Sequence, residues 1–120
     1  MLLDSNIIIY ASKPGHAFLH PLVAQPDVCV SVISCVETLG WHQLTEPERQ
    51  FLTEFFANVD VVPVSDTVVH HAIRLRQTRR MRLGDALIAG TALASGTQLV
   101  TRNVKDFDWV PGLSLLNPFP

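Results

Sequence analysis

Four acids and one amide sit at positions where a reaction could be built: Asp4, Glu37, Asp85, Asn103 and Asp106. Asp4 directly follows Leu2-Leu3 and precedes the apolar run Ile7–Ile9. Glu37 lies just past the β-branched run Val28–Ile33. Asp85 heads a run of small apolar residues, Ala86 to Ala94, while Asn103 and Asp106 follow the short run Gln98–Thr101. Each position therefore marks the end of a strand-like run or the start of a helix-like one. If the strands are parallel, all these points share one sheet edge, and open α/β sheets bind ligands outside the carboxyl ends of their strands. Carboxylates gathered there repel, so some must stay protonated unless a cation joins them. A hard divalent ion such as Mg²⁺ removes that penalty, taking a few carboxylates, retained waters and phosphate oxygens. The chemistry implied is phosphodiester hydrolysis by metal-activated water.

Each acid also has a structural account. Ser34-Cys35-Val36-Glu37 fits the capping box S-x-x-E, which would make Glu37 only a cap partner. Asp85 suits an N-cap, with Gly96 as the residue past the helix end. Asp106 can be a solvated loop acid. Asp4 has the weakest structural excuse, since an acid between Leu3 and Ile7–Ile9 satisfies no helix period.

The elements that must position these residues can be read in order. A strand at the N-terminus ends at Asp4, and Ile7–Ala11 starts a short helix. A turn over Ser12-Lys13-Pro14-Gly15 leads to a helix over His16–Ala24, kinked or restarted at Pro21. Val28–Ile33 is the second strand. A helix from Ser34 runs toward Leu44, and another starts after Thr45 with Pro47 in its first turn. Val59–Val64 is a third strand, with Pro63 near a sheet edge. Ser65-Asp66 caps a helix to about Arg79. The helix headed by Asp85 is apolar on nearly all faces, so it is expected to be buried. Gln98–Thr101 and Leu113–Leu116 follow as two strands. This order predicts a three-layer α/β/α sandwich on a mostly parallel sheet of four or five strands, as one domain over residues 1–120.

Bulk properties agree. The 120 residues are 48% hydrophobic, and a chain this long buries roughly two-thirds of its unfolded surface without staples. No stretch reaches the roughly 18 apolar residues of a membrane span, and no basic, apolar leader opens the chain. Cys29 and Cys35 form neither a C-x-x-C pair nor a metal spacing. A soluble, cytoplasmic protein without membrane partners is expected. The net charge is −2, yet five of the nine basic residues are arginines between Arg74 and Arg82. One positive edge beside an acidic pocket is compatible with that distribution.

Leu2-Leu3-Asp4-Ser5-Asn6-Ile7-Ile8-Ile9-Tyr10, Ser31–Gly40 (S-V-I-S-C-V-E-T-L-G), Gly84–Ala94 (G-D-A-L-I-A-G-T-A-L-A) and Val100–Phe107 (V-T-R-N-V-K-D-F) together resemble the PIN domain, and more narrowly the VapC-type ribonuclease toxins of toxin–antitoxin pairs. The likeness covers the whole chain in order. It implies a Mg²⁺- or Mn²⁺-dependent endoribonuclease, with Asp4, Asp85 and Glu37 as metal ligands. It also implies a support role for Asn6 beside the first aspartate; Thr101 is expected as a second supporting residue. A homodimer and a small antitoxin partner are expected on the same ground. Many members carry a fourth acid where this chain has Asn103, so Asp106 is the candidate substitute. That departure leaves open a catalytically weak or inactive module that binds RNA or protein.

The arginines have two readings: a solvated basic helix face, or phosphate contacts from Arg79, Arg80, Arg82 and Arg102 that position RNA across the acids. His16 and His20 stand four apart but lack a third metal ligand, and are expected to be satisfied or surface histidines.

Overall fold

The computed structural model describes residues Met1–Pro120. Five short strands form one sheet: β1 (Leu2–Leu3), β2 (Cys29–Ser31), β3 (Asp60–Val62), β4 (Leu99–Val100) and β5 (Leu115–Leu116). Their order is β3-β2-β1-β4-β5 and every neighbouring pair is parallel. The expected sandwich is therefore present, with five strands and a fully parallel sheet. Parallel strands need crossovers, and helices supply them: α1 (Ser5–Ala11), α2 (His20–Val23), α3 (Val32–Leu39), α4 (Glu46–Asn58), α5 (Asp66–Thr78), α6 (Leu83–Ser95) and α7 (Val104–Phe107).

Strand alternation divides the core in two. Leu2 and Leu99 face Leu75 of α5, Ile88, Ala89 and Ala92 of α6, and Phe107 of α7. Leu3, Val30 and Val100 face Ile7 and Ile8 of α1 and Leu52 of α4. Successive residues of β1 are both fully buried, one in each cluster, as a strand covered on both faces requires. The small residues of α6 have a packing reason. A Cβ on Gly90 would meet the Val68 carbonyl oxygen at 2.8 Å, so α5 and α6 lie too close for a side chain there.

Several local expectations hold. Thr45 and Glu48 form a reciprocal capping box at α4. Ser65 caps α5, and Gly96 ends α6 at φ 61°. The segment His16–Ala24 breaks as expected, a 3₁₀ turn over Ala17–Leu19 followed by α2 with Pro21 at its start. β3, which ends before Pro63, lies at a sheet edge.

Three expectations are corrected. The helix after β2 begins at Val32, capped by Ser31, whose side chain accepts from the Ile33 N–H; it ends at Leu39 rather than near Leu44. Ser34 is thus inside the helix, so the S-x-x-E pattern is not a capping box. Asp85 is not an N-cap, because α6 starts two residues earlier, with Arg82 in the cap position and no side-chain cap bond. The last two strands do not follow one another directly; α7 crosses between them. No helix is long and apolar enough to cross a membrane.

Candidate functional site

Asp4 sits where β1 turns into α1. Its N–H donates to Val100 O at 2.9 Å and its own carbonyl accepts from Ile7, so the backbone is committed on both sides. The side chain takes no part in capping α1 and is 5% exposed. It reaches sideways to β4, where the buried Thr101 hydroxyl donates to Asp4 Oδ2 at 2.9 Å. Thr101 Oγ1 in turn accepts from the Asn103 N–H at 3.0 Å. Burial pushes the Asp4 carboxyl up to about 6. The Thr101 bond opposes that rise, while Asp85 and Glu37 add to it as nearby negative charges.

Glu37 projects from the second turn of α3. Ser5 Oγ donates to Glu37 Oε1 at 2.7 Å and lies 2.9 Å from Ser34 Oγ. Ser5 and Ser34 are both buried. On the other side, a Cβ on Gly84 would come within 2.7 Å of Glu37 Oε2. The missing side chain at Gly84 thus makes room for the carboxylate against the first turn of α6. Ser5 and Gly84, the immediate neighbours of Asp4 and Asp85, bracket Glu37 between them.

Asp85 occupies the first turn of α6, at the positive end of the helix dipole. Burial raises its carboxyl above the usual range, and Asp106 adds to the rise; Arg82 opposes it. Asp85 and Asp106 line one cavity of about 600 Å³ with Arg76, Arg79, Arg80, Arg82, Lys105, Met81 and Trp109. The Arg79 guanidinium lies 4.8 Å from the centre of the Trp109 ring.

The structure thus links the four carboxylates by charge, Asp85 and Glu37 acting on Asp4 and Asp106 and Glu37 acting on Asp85, with Thr101 as direct support of Asp4. Arg79, Arg80 and Arg82 stand around Asp85, whereas Arg102 turns away toward Tyr10 and Phe119. Asn6 is exposed and its side chain makes no hydrogen bond within the chain; Ser5 makes the contacts instead. Asn103 is exposed, and only its N–H reaches the site. Sequence reading missed Ser5, Gly84, Arg76 and Lys105. The first two were visible only as neighbours of the aspartates, and Lys105 as part of the polar cluster after β4. His16 and His20 do not form a pair, since His20 Nε2 bonds Ala11 O and the His16 ring lies tilted against Tyr10.

The donor set fits a hard divalent cation. All three ion pairs of the chain lie elsewhere, at Met1–Asp27, Lys13–Glu48 and Arg49–Glu46, so none of the four clustered carboxylates has a salt-bridge partner. No three metal-binding side chains converge on one point. Few protein oxygens and several waters describe Mg²⁺ better than an all-protein cage does.

Residues 1–113 match the PIN domain, a span that includes every residue of this site. The chain belongs to the PIN domain family. Among relatives, it is 29% identical to the tRNA(fMet)-specific endonuclease VapC of Shigella flexneri, over 93% of this chain and 92% of that protein. It is 31% identical to ribonuclease VapC10 of Mycobacterium tuberculosis, over 89% and 85%. A toxin–antitoxin complex from Klebsiella pneumoniae contains a chain of the same PIN fold, with a TM-score of 0.79, 28% identity, and coverage of 98% of this chain and 97% of that one.

Proposed function

We propose that this chain, as one PIN domain over residues 1–120, is a divalent-metal-dependent endoribonuclease and the toxin of a toxin–antitoxin pair. The observation that carries the reading is the cluster of four carboxylates without an ion-pair partner at the C-terminal edge of a parallel sheet, beside a cavity ringed by arginines. The names of its VapC relatives as endonucleases and ribonucleases support it.

In this reading Asp4 and Asp85 would hold Mg²⁺, or Mn²⁺ in its place, and Glu37 would complete the set through a retained water. When bound, the ion would lower the pKa of a water and offset charge on the phosphate. Thr101 keeps the Asp4 carboxylate aimed and lowers its pKa toward ionisation. Ser5 orients Glu37, and Gly84 leaves space for it. Asp106, which acts on Asp85 electrostatically, takes the place of the fourth acid that Asn103 cannot supply. Arg79, Arg80, Arg82 and Lys105 bind RNA phosphates and fix the register of the strand, a role that carries no sequence information by itself. The Klebsiella complex and a Rickettsia felis VapBC2 complex with a promoter DNA fragment support a cognate antitoxin as partner. Exposed Val32 and Val36 on α3, Val69 and Ile73 on α5 and Leu83 offer the apolar surface for a homodimer.

The test is cleavage of single-stranded RNA with and without Mg²⁺ by the wild type, Asp4→Asn and Asp85→Asn. Cleavage is expected only from the wild type with metal. Equal cleavage by all three, or RNA binding without any cleavage, would refute the catalytic reading; the second result would establish the inactive module.

A further inference from the structure

Arg102 is left over from the site just described. It is exposed and pairs with no carboxylate. Instead its guanidinium lies 4.2 Å from the centre of the Phe119 ring and 5.3 Å from that of Tyr10. Thr101 and Arg102 are consecutive just past the end of β4, Arg102 in a bend, and their side chains make contacts on different sides. Thr101 goes to Asp4 and the α6 side; Arg102 goes to the rim above α1.

A connected group of rings surrounds Arg102 there. Phe119 contacts Tyr10 and Phe18 edge to face, each at 5.2 Å between ring centres, and His16 lies 5.2 Å from Tyr10. Phe18, on the 3₁₀ turn, is 49% exposed. His16 Nδ1, in the same group, is the one buried side-chain nitrogen or oxygen of the chain without a hydrogen-bond partner. A finished patch of core would cover Phe18 and satisfy His16. The group has the character of a surface built to receive a flat ligand.

We propose that Phe18, Phe119 and Arg102 form a base-stacking subsite that holds an unpaired nucleotide of the RNA beside the acids. The proposal rests on the ribonuclease reading above and adds to it the manner in which substrate is held. Aromatic faces and a guanidinium plane bind any nucleobase by stacking and cation–π attraction. The unpaired charge of Arg102 complements a polyanion. The two flanks of the acids then differ in chemistry: cations of the α5–α6 segment and α7 meet phosphates on one side, and rings meet bases on the other. Only unstacked bases can enter such a surface, so the substrate class is single-stranded or loop RNA rather than duplex.

The experiment separates this subsite from catalysis by reading binding in the Asp4→Asn background, where bound RNA is not cut. A fluorescent single-stranded oligonucleotide of roughly ten residues, long enough to cover one stacking groove, is titrated at several salt concentrations. Phe18→Leu keeps the apolar bulk and removes the ring; Phe18→Trp keeps a ring. Phe18→Leu is expected to weaken binding about tenfold with the salt slope unchanged, because no phosphate contact is lost. Phe18→Trp restores affinity, and the affinity for duplex RNA is the same in all three. Unchanged single-strand affinity in a Phe18→Leu protein of parental melting temperature overturns the subsite, and so does a loss that Phe18→Trp fails to restore. A wild type that cuts RNA beside a Phe18→Leu variant that binds normally sinks the subsite alone. Ring-dependent binding with no cleavage by the wild type sinks the nuclease reading alone.

Discussion

Asp4 and Asp85 belong to one cluster, yet they are held by opposite means. Asp4 is 5% exposed, and its position is set by hydrogen bonds that tie β1 to β4 and the side chain to Thr101. Asp85 is half-buried, receives no side-chain hydrogen bond, and faces Asp106 and Arg82 through charge alone. One half of the site is scaffolded, and the other is an open electrostatic basin. Scaffolding gives fixed geometry at the cost of desolvating a charge; the open half admits polyanionic substrate and tolerates movement. If this division is right, variants on the two sides will fail differently.

The largest expected effect is at Asp4. Its folded pKa of about 6 lies above the ordinary value of 3.8, so folding favours the protonated form. The stabilising contribution is fully present below about pH 4 and is lost as pH rises through 6. Metal-free Asp4→Asn is therefore expected to be more stable than the wild type at pH 7.5, by about 3 kcal/mol, while its RNA cleavage falls at least about a thousandfold. Thermal melts at pH 5 and 7.5 in chelator check this; a wild type that gains stability between those pH values through this group would contradict the burial account.

Thr101→Val comes next. It leaves Asp4 Oδ2 without a donor, and cleavage should drop about 10- to 100-fold. The acid limb of the pH–rate profile should shift upward, because the lost bond was lowering the Asp4 pKa. A drop in rate with no shift of that limb would reduce Thr101 to a packing role.

Gly84→Ala tests the clamp on Glu37. The added Cβ must displace the Glu37 carboxylate, since 2.7 Å is too short for contact. Cleavage is expected to fall about tenfold with kcat carrying the loss. The melting temperature should hold or rise, because alanine favours the helix. Lys105→Ala, on the open side, should have the smallest effect: a few-fold rise in KM and a salt slope shallower by about 0.7. A kcat defect there would move Lys105 from the basin into the scaffold.

Much of this arrangement could be read from the chain because buried parallel strands write themselves as continuous apolar runs. Leu2-Leu3, Val28–Ile33 and Gln98–Thr101 are largely apolar or β-branched runs of this kind, with Asp4, Glu37 and Asp106 following them within one to five residues. What the sequence hid has physical causes. Ser31 and Ser34 are both competent caps, and the choice between them depends on where β2 stops pairing with β3, a tertiary matter. Asp85 looks like a cap because caps favour aspartate, but Arg82 takes that position without a side-chain bond. The four residues of α7 are too few to leave a periodic trace. The role of Ser5 depends on Glu37, 32 positions away, and no local pattern encodes such a partner. The proximity of Asp4 and Asp85 was inferred from topology; the Gly84 gap was not, since a glycine in a helix announces nothing about what fills the space beside it.

The bond between Thr101 and Asp4 joins residues 97 positions apart. β1 pairs with β4, the fourth strand in the chain, on one side and with β2 on the other. A growing chain therefore carries Asp4 well before it carries the hydroxyl that aims it, 97 positions later. The Asp4–Thr101 bond requires β4 to lie beside β1. For the nuclease proposed above, that order would keep a chain without β4 in place from carrying a finished site.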